Sequence, residues 1–442
     1  MEATLQEILD AREARVQKQQ HLLQTYGKSL VCFTMNIPGP VKLDRDVSIG
    51  FFVGCRLLKD SLSGRLIYAD EQKNHTGCEG YFVADMPARE LKQLCLELEE
   101  SSPVGRLFDM DVFDANGDRI TRESMGYPRR GCLLCGQDAV VCAGRRTHSV
   151  AELRDRTDFL LYLAARQELS EYIAVRAYLA LMQESNTTPK PGLVDRNNRG
   201  AHTDMDIRHF FVSANALRPF FCRFAEKGYL TRDLDAVEAF AQIRGIGMEA
   251  EEAMLKATRG VNTHKGAIFS LGLLCAVAGR LGPDGWNEKD MLCEAAKMAA
   301  GVVAQDFAGI TQDTAKTAGE KLYAAYGITG IRGQAEAGYP GVLSKGLPVL
   351  KEGLAQGLSL NDAGAAALLH LLTVTEDTNI VSRSDIGTLK TVQAQVADLL
   401  QENPYPDQAA LEALDRRFIE KNLSPGGTAD LLAVTYFLFF LK

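Results

Sequence analysis

The chain has 442 residues, 46% of them hydrophobic and 24% charged, with a formal charge of −8. At roughly 150 residues per domain this allows two or three domains, each able to bury a full core. The acidic balance argues against general binding to a phosphate backbone, which needs a basic face, but leaves room for a local basic pocket around one polyphosphate.

Met1-Glu2-Ala3-Thr4 shows no basic stretch followed by an apolar core, so a secretory signal is not expected and a cytoplasmic location is. The longest apolar run, Leu431 to Leu441, is shorter than the roughly 20 residues of a membrane span and reads as a buried helix. Ten cysteines without an export signal read as reduced thiols. Cys32, Cys55, Cys222, Cys275 and Cys293 sit among apolar neighbours and are expected to be small core residues.

In chain order, Ala3 to Tyr26 predicts an amphipathic helix. Ser29 to Met35 predicts a strand, ended by the loop Asn36-Ile37-Pro38-Gly39-Pro40. A helix follows from about Arg45 to Leu62, then short strands at Gly64–Ala69 and Gly80–Ala84. Pro87 opens a helix reaching Glu100. Val104 to Phe113 reads as a strand, and Asp114 to Asp118 as a hairpin turn in which Asn-Gly supplies the positive φ angles of type I′. From Ser149 the rhythm turns helical. Thr157–Glu184 reads as one long helix, followed by Leu234–Arg244, Gly266–Ala278, Lys289–Ala304, Asp362–Leu372, Ile386–Gln401 and Thr428–Leu441. The pattern predicts an α+β domain over residues 1–150 and a larger all-α domain over 151–442, with the boundary near 148–155.

Asp109 and Asp111 lie two apart on the predicted strand, so both point to one face. Such a pair repels itself unless a cation sits between, and Mg²⁺, which takes carboxylates together with phosphate oxygens, is the natural partner. The plainer alternative is a solvated strand face. Asp114 to Asp118 is not an EF-hand, because positions six and twelve are Arg119 and Met125 rather than Gly and Glu. Cys132-x₂-Cys135-x₆-Cys142-x₅-His148 offers three thiols and an imidazole, the ligand set of a tetrahedral structural zinc. Buried thiols beside an exposed His are the alternative; no paired base supports a nucleophilic cysteine.

In the helical half, five loop runs carry Gly with polar residues: Glu184 to Met205, Thr258 to Ser270, Tyr326 to Tyr339, Glu376 to Asn379, and Ser424 to Asp430. Gly266 opens a helix just behind His264 and Lys265, and free N–H groups, the helix dipole and a lysine together favour an anion. Thr428 can cap the last helix behind Gly426 and Gly427. No Ser or Thr follows Lys265 in the Walker A manner, so this is not a P-loop. Taken singly, each run also reads as an ordinary helix cap or turn.

The runs Leu9-Asp10-Ala11-Arg12-Glu13-Ala14-Arg15, Asn36 to Lys42, Pro128 to Cys135 and Val141-Cys142-Ala143 resemble the citrate lyase holo-acyl-carrier-protein synthase family over residues 1–150. The resemblance implies a nucleotidyltransferase-like domain. It would transfer phosphoribosyl-dephospho-coenzyme A from its triphosphate to a serine of the citrate lyase acyl carrier protein, releasing pyrophosphate. Asp109 and Asp111 would then be the Mg²⁺ ligands, with Arg12, Arg15, Lys42 and Arg106 as triphosphate contacts or, alternatively, solvated charges.

The five helical-half runs resemble the triphosphoribosyl-dephospho-coenzyme A synthase family over roughly residues 160–442. That family implies ATP and 3′-dephospho-coenzyme A as substrates, with loss of adenine. Such chemistry passes through an oxocarbenium-like transition state and needs a carboxylate base, a donor to the leaving group and cations on the triphosphate. Asp204 and Asp377 are the candidate base or Mg²⁺ ligand, and His202 and His264 the donors. Lys190, Lys265 and Arg332 are the phosphate clamps, with Gly426 and Gly427 allowing backbone to approach phosphate. Two other acceptor readings stand beside this one: synthesis of the same group for malonate decarboxylase, and metal-dependent nucleotidyl transfer to another acceptor. A zinc-bearing nucleic-acid module is disfavoured by the charge and by the lack of interleaved aromatic and basic residues. A non-catalytic sensor of coenzyme A derivatives is disfavoured by the intact Asp109 and Asp111. Neither nucleic acid nor membrane is expected as a partner.

Overall fold

The structure, a computed structural model, describes residues 2–442. Its contacts divide the chain into two compact units, one ending at Leu169 and the other running from Ser170 to Lys442.

The first unit runs α1 (Leu5–Tyr26), β1 (Ser29–Met35), α2 (Arg45–Ser61), β2 (Leu66–Asn74), β3 (Gly77–Ala84), α3 (Ala88–Ser101), β4 (Phe108–Phe113), β5 (Arg119–Ile120), α4 (Ala139–Arg145) and α5 (Val150–Ala164). The strands form one antiparallel sheet in the order β2-β3-β1-β4-β5. Alternation assigns the faces. Val31, Phe33, Phe82, Phe108, Met110 and Val112 meet apolar residues of α2, α3 and α5 in the main core. Leu30, Cys32, Tyr81 and Val83 meet Leu22 and Leu23 of α1 on the other face. The sequence rhythm changes near 148–155, yet Leu160, Leu161 and Ala164 of α5 belong to this first core.

Three local readings change. β2 and β3 extend well beyond Gly64–Ala69 and Gly80–Ala84, because β2 is an edge strand whose polar tail, Asp70 to Asn74, keeps its ladder with β3 while facing solvent. Residues Pro103–Leu107 form a 3₁₀ turn before β4, with Gly105 so close to the α3 carbonyls that a Cβ would lie 2.7 Å from the Glu99 oxygen. The β4–β5 turn has positive φ only at Gly117, while the Asp114 side chain accepts from the Asn116 and Asp118 amides. That is the three-residue loop with a left-handed glycine, not type I′, which needs two positive φ angles.

No strand occurs among the described residues of the second unit. The expected Thr157–Glu184 helix is interrupted by a π-helical turn at Ala165–Leu169 and resumes as Ser170–Asn186. The helix Ile207–Leu230 escaped the sequence pattern; it carries Pro219 in its interior. Shorter helices at Ala318–Tyr326, Gly330–Glu336, Leu347–Ala355 and Gln408–Glu420 were also not apparent from periodicity. The last helix, Gly426–Phe440, is buried on nearly every side, as its apolar run predicted. Cys32, Cys55 and Cys275 are core residues, but Cys222 is half-buried and Cys293 is exposed, since each lies on a partly solvated helix. Among the described residues no helix is long and apolar enough to cross a membrane.

Helix Ile207–Leu230 crosses helix Lys265–Leu281 at two glycines. A Cβ on Gly228 would lie 1.9 Å from the Ala276 carbonyl oxygen, and one on Gly279 would lie 2.0 Å from that of Ala225. Gly228→Ala therefore sets a helix-propensity gain of about 1 kcal/mol against overpacking of about 1–3 kcal/mol on rigid backbone. The clash is with main chain, so the variant is expected to melt lower than the parent in a thermal scan.

Candidate functional site

The first candidate site lies on the α1 face of the sheet. The register places Asp109 opposite Thr34 and Asp111 opposite Cys32, so both carboxylates share the face that α1 covers in part. Asp111 pairs with Arg119 of β5. Asp109 is exposed at its outer edge, yet the protein around it, and then the charge of Asp111, pushes its carboxyl upward; Arg130 opposes this. Two hard oxygen donors with one already strained by its neighbour fit a divalent cation.

Glu79, which the sequence reading passed over, stands on the same face, across Thr34 from Asp109. It accepts from the Tyr81 hydroxyl at 2.6 Å and pairs with Arg15 at 2.8 Å. The expected phosphate contacts separate. Arg15 reaches the carboxylate face through Glu79, and Arg12 is exposed on the same helix. Lys42 donates to the Ile37 carbonyl at 2.6 Å, and burial, then Arg12 and Arg154, holds its ammonium below the usual lysine range. That clustering of cations suits an anion. Arg106 instead donates to the Gly131 carbonyl at 2.8 Å and braces the loop after β5.

The second candidate site is a cavity of about 640 Å³ in the helical unit, within the size range of small-molecule pockets. Lys190, His202, His264, Lys265, Arg332, Gly426 and Gly427 all line it, although they come from four separate loop runs. The loop Thr187 to Asp206 is folded onto itself by two carboxylates. Asp195 accepts from the amides of Lys190, Asn197 and Asn198, and Asp415 accepts from the Gly192 amide and the Asn198 side chain. Gly192 and Gly200 have positive φ, and a Cβ on either would strike backbone at 2.2 and 2.5 Å. The motif's glycines are therefore demanded by close packing.

Each cation there has an acidic partner. Lys190, fully buried, meets Glu184 at 2.5 Å; Arg332 meets Asp306 at 2.6 Å; the exposed Lys265 pairs with Glu251. His202 bonds Ser424 at 2.8 Å, and burial followed by the charge of Arg383 pushes its imidazole downward. His264 bonds Ser213 through Nδ1 at 2.7 Å; its Nε2 is buried without a partner, and burial, then Lys190, pushes it down to about 3, so the ring is neutral.

The two aspartates read as candidate bases sit elsewhere. Asp204 is 62% exposed beside His202 and does not line the cavity. Asp377 is buried behind the cavity wall with both oxygens engaged: Oδ1 caps Asn379 and Ile380, and Oδ2 accepts from the Thr428 amide and hydroxyl. Asp430 lines the cavity instead. It has one backbone donor, the Ala267 amide, and no cation; the surrounding protein, then the charges of Glu184 and Asp377, pushes its carboxyl well above the usual range. It comes so close to helix Lys265–Leu281 that a Cβ on Gly266 would lie 1.9 Å from Oδ2. The Gly after Lys265 is thus explained by Asp430, a relation invisible in sequence.

A third cluster gathers Cys132, Cys135, Cys142 and His148, whose ligand atoms all lie within 4.8 Å of one another.

Residues 170–442 match the family described as ATP:dephospho-CoA triphosphoribosyl transferase (CitG), and residues 3–162 match apo-citrate lyase phosphoribosyl-dephospho-CoA transferase (CitX). A "Protein CitXG" of Haemophilus influenzae is 39% identical, over 99% of this chain and 96% of its own length. One of Leuconostoc mesenteroides subsp. cremoris is 32% identical, over 98% and 96%. A probable 2-(5''-triphosphoribosyl)-3'-dephosphocoenzyme-A synthase of Pectobacterium carotovorum is 44% identical over 59% of this chain and 86% of its own. With both family matches in one chain and relatives aligned end to end, the chain belongs to the CitXG family of bifunctional transferases that make the citrate lyase prosthetic group.

Proposed function

We propose that the two reactions are divided between the two units and run in sequence. In the helical unit the 2′-hydroxyl of 3′-dephospho-coenzyme A attacks C1 of the ATP ribose. The O–C1 bond forms, the C1–N9 bond breaks with its electron pair going to adenine, and the hydroxyl proton ends on adenine. The first unit then transfers phosphoribosyl-dephospho-coenzyme A to a serine of the citrate lyase acyl carrier protein, and pyrophosphate leaves. The observation that supports this reading best is the convergence of Lys190, His202, His264, Lys265, Arg332, Gly426 and Gly427 on one cavity.

Within that cavity we assign the proton acceptor to Asp430. The other carboxylates there are exposed or engaged: Glu184 by Lys190, Asp306 by Arg244 and Arg332, Glu320 by its own helix start. Asp430 alone combines a raised proton affinity with open access to the cavity, as a base working near neutrality requires. In the tautomer in which Ser213 donates to Nδ1, neutral His264 carries its proton on Nε2 and gives a hydrogen bond to the leaving adenine, while the proton taken up by Asp430 passes on to adenine. In the first unit Asp109 and Asp111 would hold Mg²⁺, which when bound offsets charge on the attacking and leaving oxygens. Arg12, Arg15 and Lys42 supply positive charge for the triphosphate.

The division is testable because each unit has its own core. A fragment ending at Leu169 is expected to load apo-carrier from pre-made triphosphate, read as the mass gain of the carrier. A fragment beginning at Ser170 is expected to release adenine from ATP and 3′-dephospho-coenzyme A in the presence of Mg²⁺. If neither fragment performs its half-reaction while the intact chain performs both, the division is wrong.

A further inference from the structure

We propose that Cys132, Cys135, Cys142 and His148 hold one structural zinc ion, and that this ion locks the segment 128–148 against the strand bearing Asp109 and Asp111. The transferase reading gives this cluster no task, and its geometry stands apart from that reading.

Zinc–sulfur bonds of about 2.3 Å in a tetrahedron put ligand atoms about 3.8 Å apart. The four ligand atoms lie within 4.8 Å of one another, and the Sγ atoms of Cys135 and Cys142 are 3.4 Å apart. A small contraction therefore closes the site. A disulfide between that pair would use two ligands and leave Cys132 and His148 without a role. Nε2 of His148 is buried and has no hydrogen-bond partner, an arrangement costly for an imidazole unless something coordinates it.

The backbone is shaped for a metal knuckle. Gly136, directly after Cys135, has φ of +74°, and its amide turns back to the Cys132 carbonyl at 3.1 Å.

Burial supplies a separate argument. From Thr121 to Val150 only Cys132 and Cys142 are buried. A stretch of that length cannot hold its shape by apolar burial when its two buried side chains are thiols; it needs a cross-link. Three thiolates and one imidazole in a tetrahedron select zinc over magnesium or calcium, which prefer oxygen.

The segment is tied to the carboxylate strand. Arg130 donates to the Phe108 carbonyl and pairs with Glu99, both at 2.6 Å, and Arg106 donates to the Gly131 carbonyl. Phe108 immediately precedes Asp109. The ion would act on transfer as a positioning element, through the loop, and not as part of the reacting centre.

The test uses the full-length protein purified with a thiol reductant. Elemental analysis is expected to give about one zinc per chain, falling toward zero in Cys135→Ser, where the ligand is exposed and the change is least disruptive. Cobalt exchanged into the parent protein is expected to show thiolate-to-cobalt charge transfer and tetrahedral ligand-field bands, which decides the site even if the variant does not fold. Removing the zinc is expected to raise amide exchange in residues 128–148 and in β4 while adenine release is unchanged. A folded, metal-free parent protein, iron in place of zinc, full zinc in Cys135→Ser, or cobalt spectra without thiolate bands would each overturn the site. Unchanged exchange in β4 after zinc removal would overturn the locking.

Discussion

Asp109→Asn and Asp111→Asn are each expected to abolish carrier loading and leave adenine release intact. The amide keeps the shape of the side chain and removes the charge that would hold a divalent cation. If the pair stabilises charge developing on two oxygens of an in-line displacement, losing one ligand should cost about 4 kcal/mol of barrier, on the order of a thousandfold. The two substitutions differ in their effect on the fold. Asp109 is held above its usual range by its surroundings and by Asp111, so the neutral amide relieves repulsion, and the melting temperature should hold or rise. Asp111 loses its pairing with the exposed Arg119, an interaction worth little at a surface. A structural role would show the reverse, with lower melting and loading retained in proportion to folded protein. Loading of pre-made triphosphate at near-parental rate by either variant would remove the pair from the mechanism.

The sequence could place this pair on one face because its signal is local. Alternation along Phe108 to Phe113 puts Asp109 and Asp111 on one face whatever β4 pairs with, and the pairing with Thr34 and Cys32 then adds only the neighbours. Glu79 was missed because it joins the face only through β1, two strands across, and nothing in its own segment marks it. Arg106 looked like a phosphate contact by proximity to the aspartates, but the 3₁₀ turn before β4 aims it at the Gly131 carbonyl. The cysteine spacing anticipated that Cys132, Cys135, Cys142 and His148 gather in space, since four such residues within a short span leave few other ways to meet.

The helical unit was harder for the same reason. Its polar loops announced a site, and the cavity gathers most of the residues singled out from them. Asp377 and Asp204 drew notice because they lie among Asn, Thr and His. Yet Asp377 spends all its acceptor capacity on two helix starts, and Asp204 faces solvent. Asp430 closes the run Ser424 to Asp430, one turn into an apolar helix, but nothing local marks it above Asp204 and Asp377 as a candidate base; its packing against Gly266 does.

Asp430→Asn is accordingly expected to reduce adenine release by roughly a hundredfold or more, the usual scale for losing a general base. The plainer role of this residue is a tertiary cap. It accepts from Ala267 in the first turn of helix Lys265–Leu281, whose own N-cap residue, His264, makes no side-chain cap. Asparagine keeps a carbonyl oxygen for that bond, so capping survives the substitution while proton acceptance does not. Stability gives a second readout. A carboxyl whose proton affinity is raised by folding loses stability as pH rises above its unfolded value, because ionisation costs more in the folded chain. The cost falls on a group that faces the carboxylates of Glu184 and Asp377, with Lys190 already engaged by Glu184. Removing the charge should leave the melting temperature near neutral pH equal or higher. In the parent, adenine release should fall on the acid side at a pH well above the ordinary carboxylate range, and the residual activity of the variant should lack that limb. Carrier loading from pre-made triphosphate should be unchanged, which shows that the chain is folded and separates failure of this residue from failure of the two-reaction reading. Parental adenine release in Asp430→Asn, with the cap kept by the amide oxygen, would return Asp430 to a capping role.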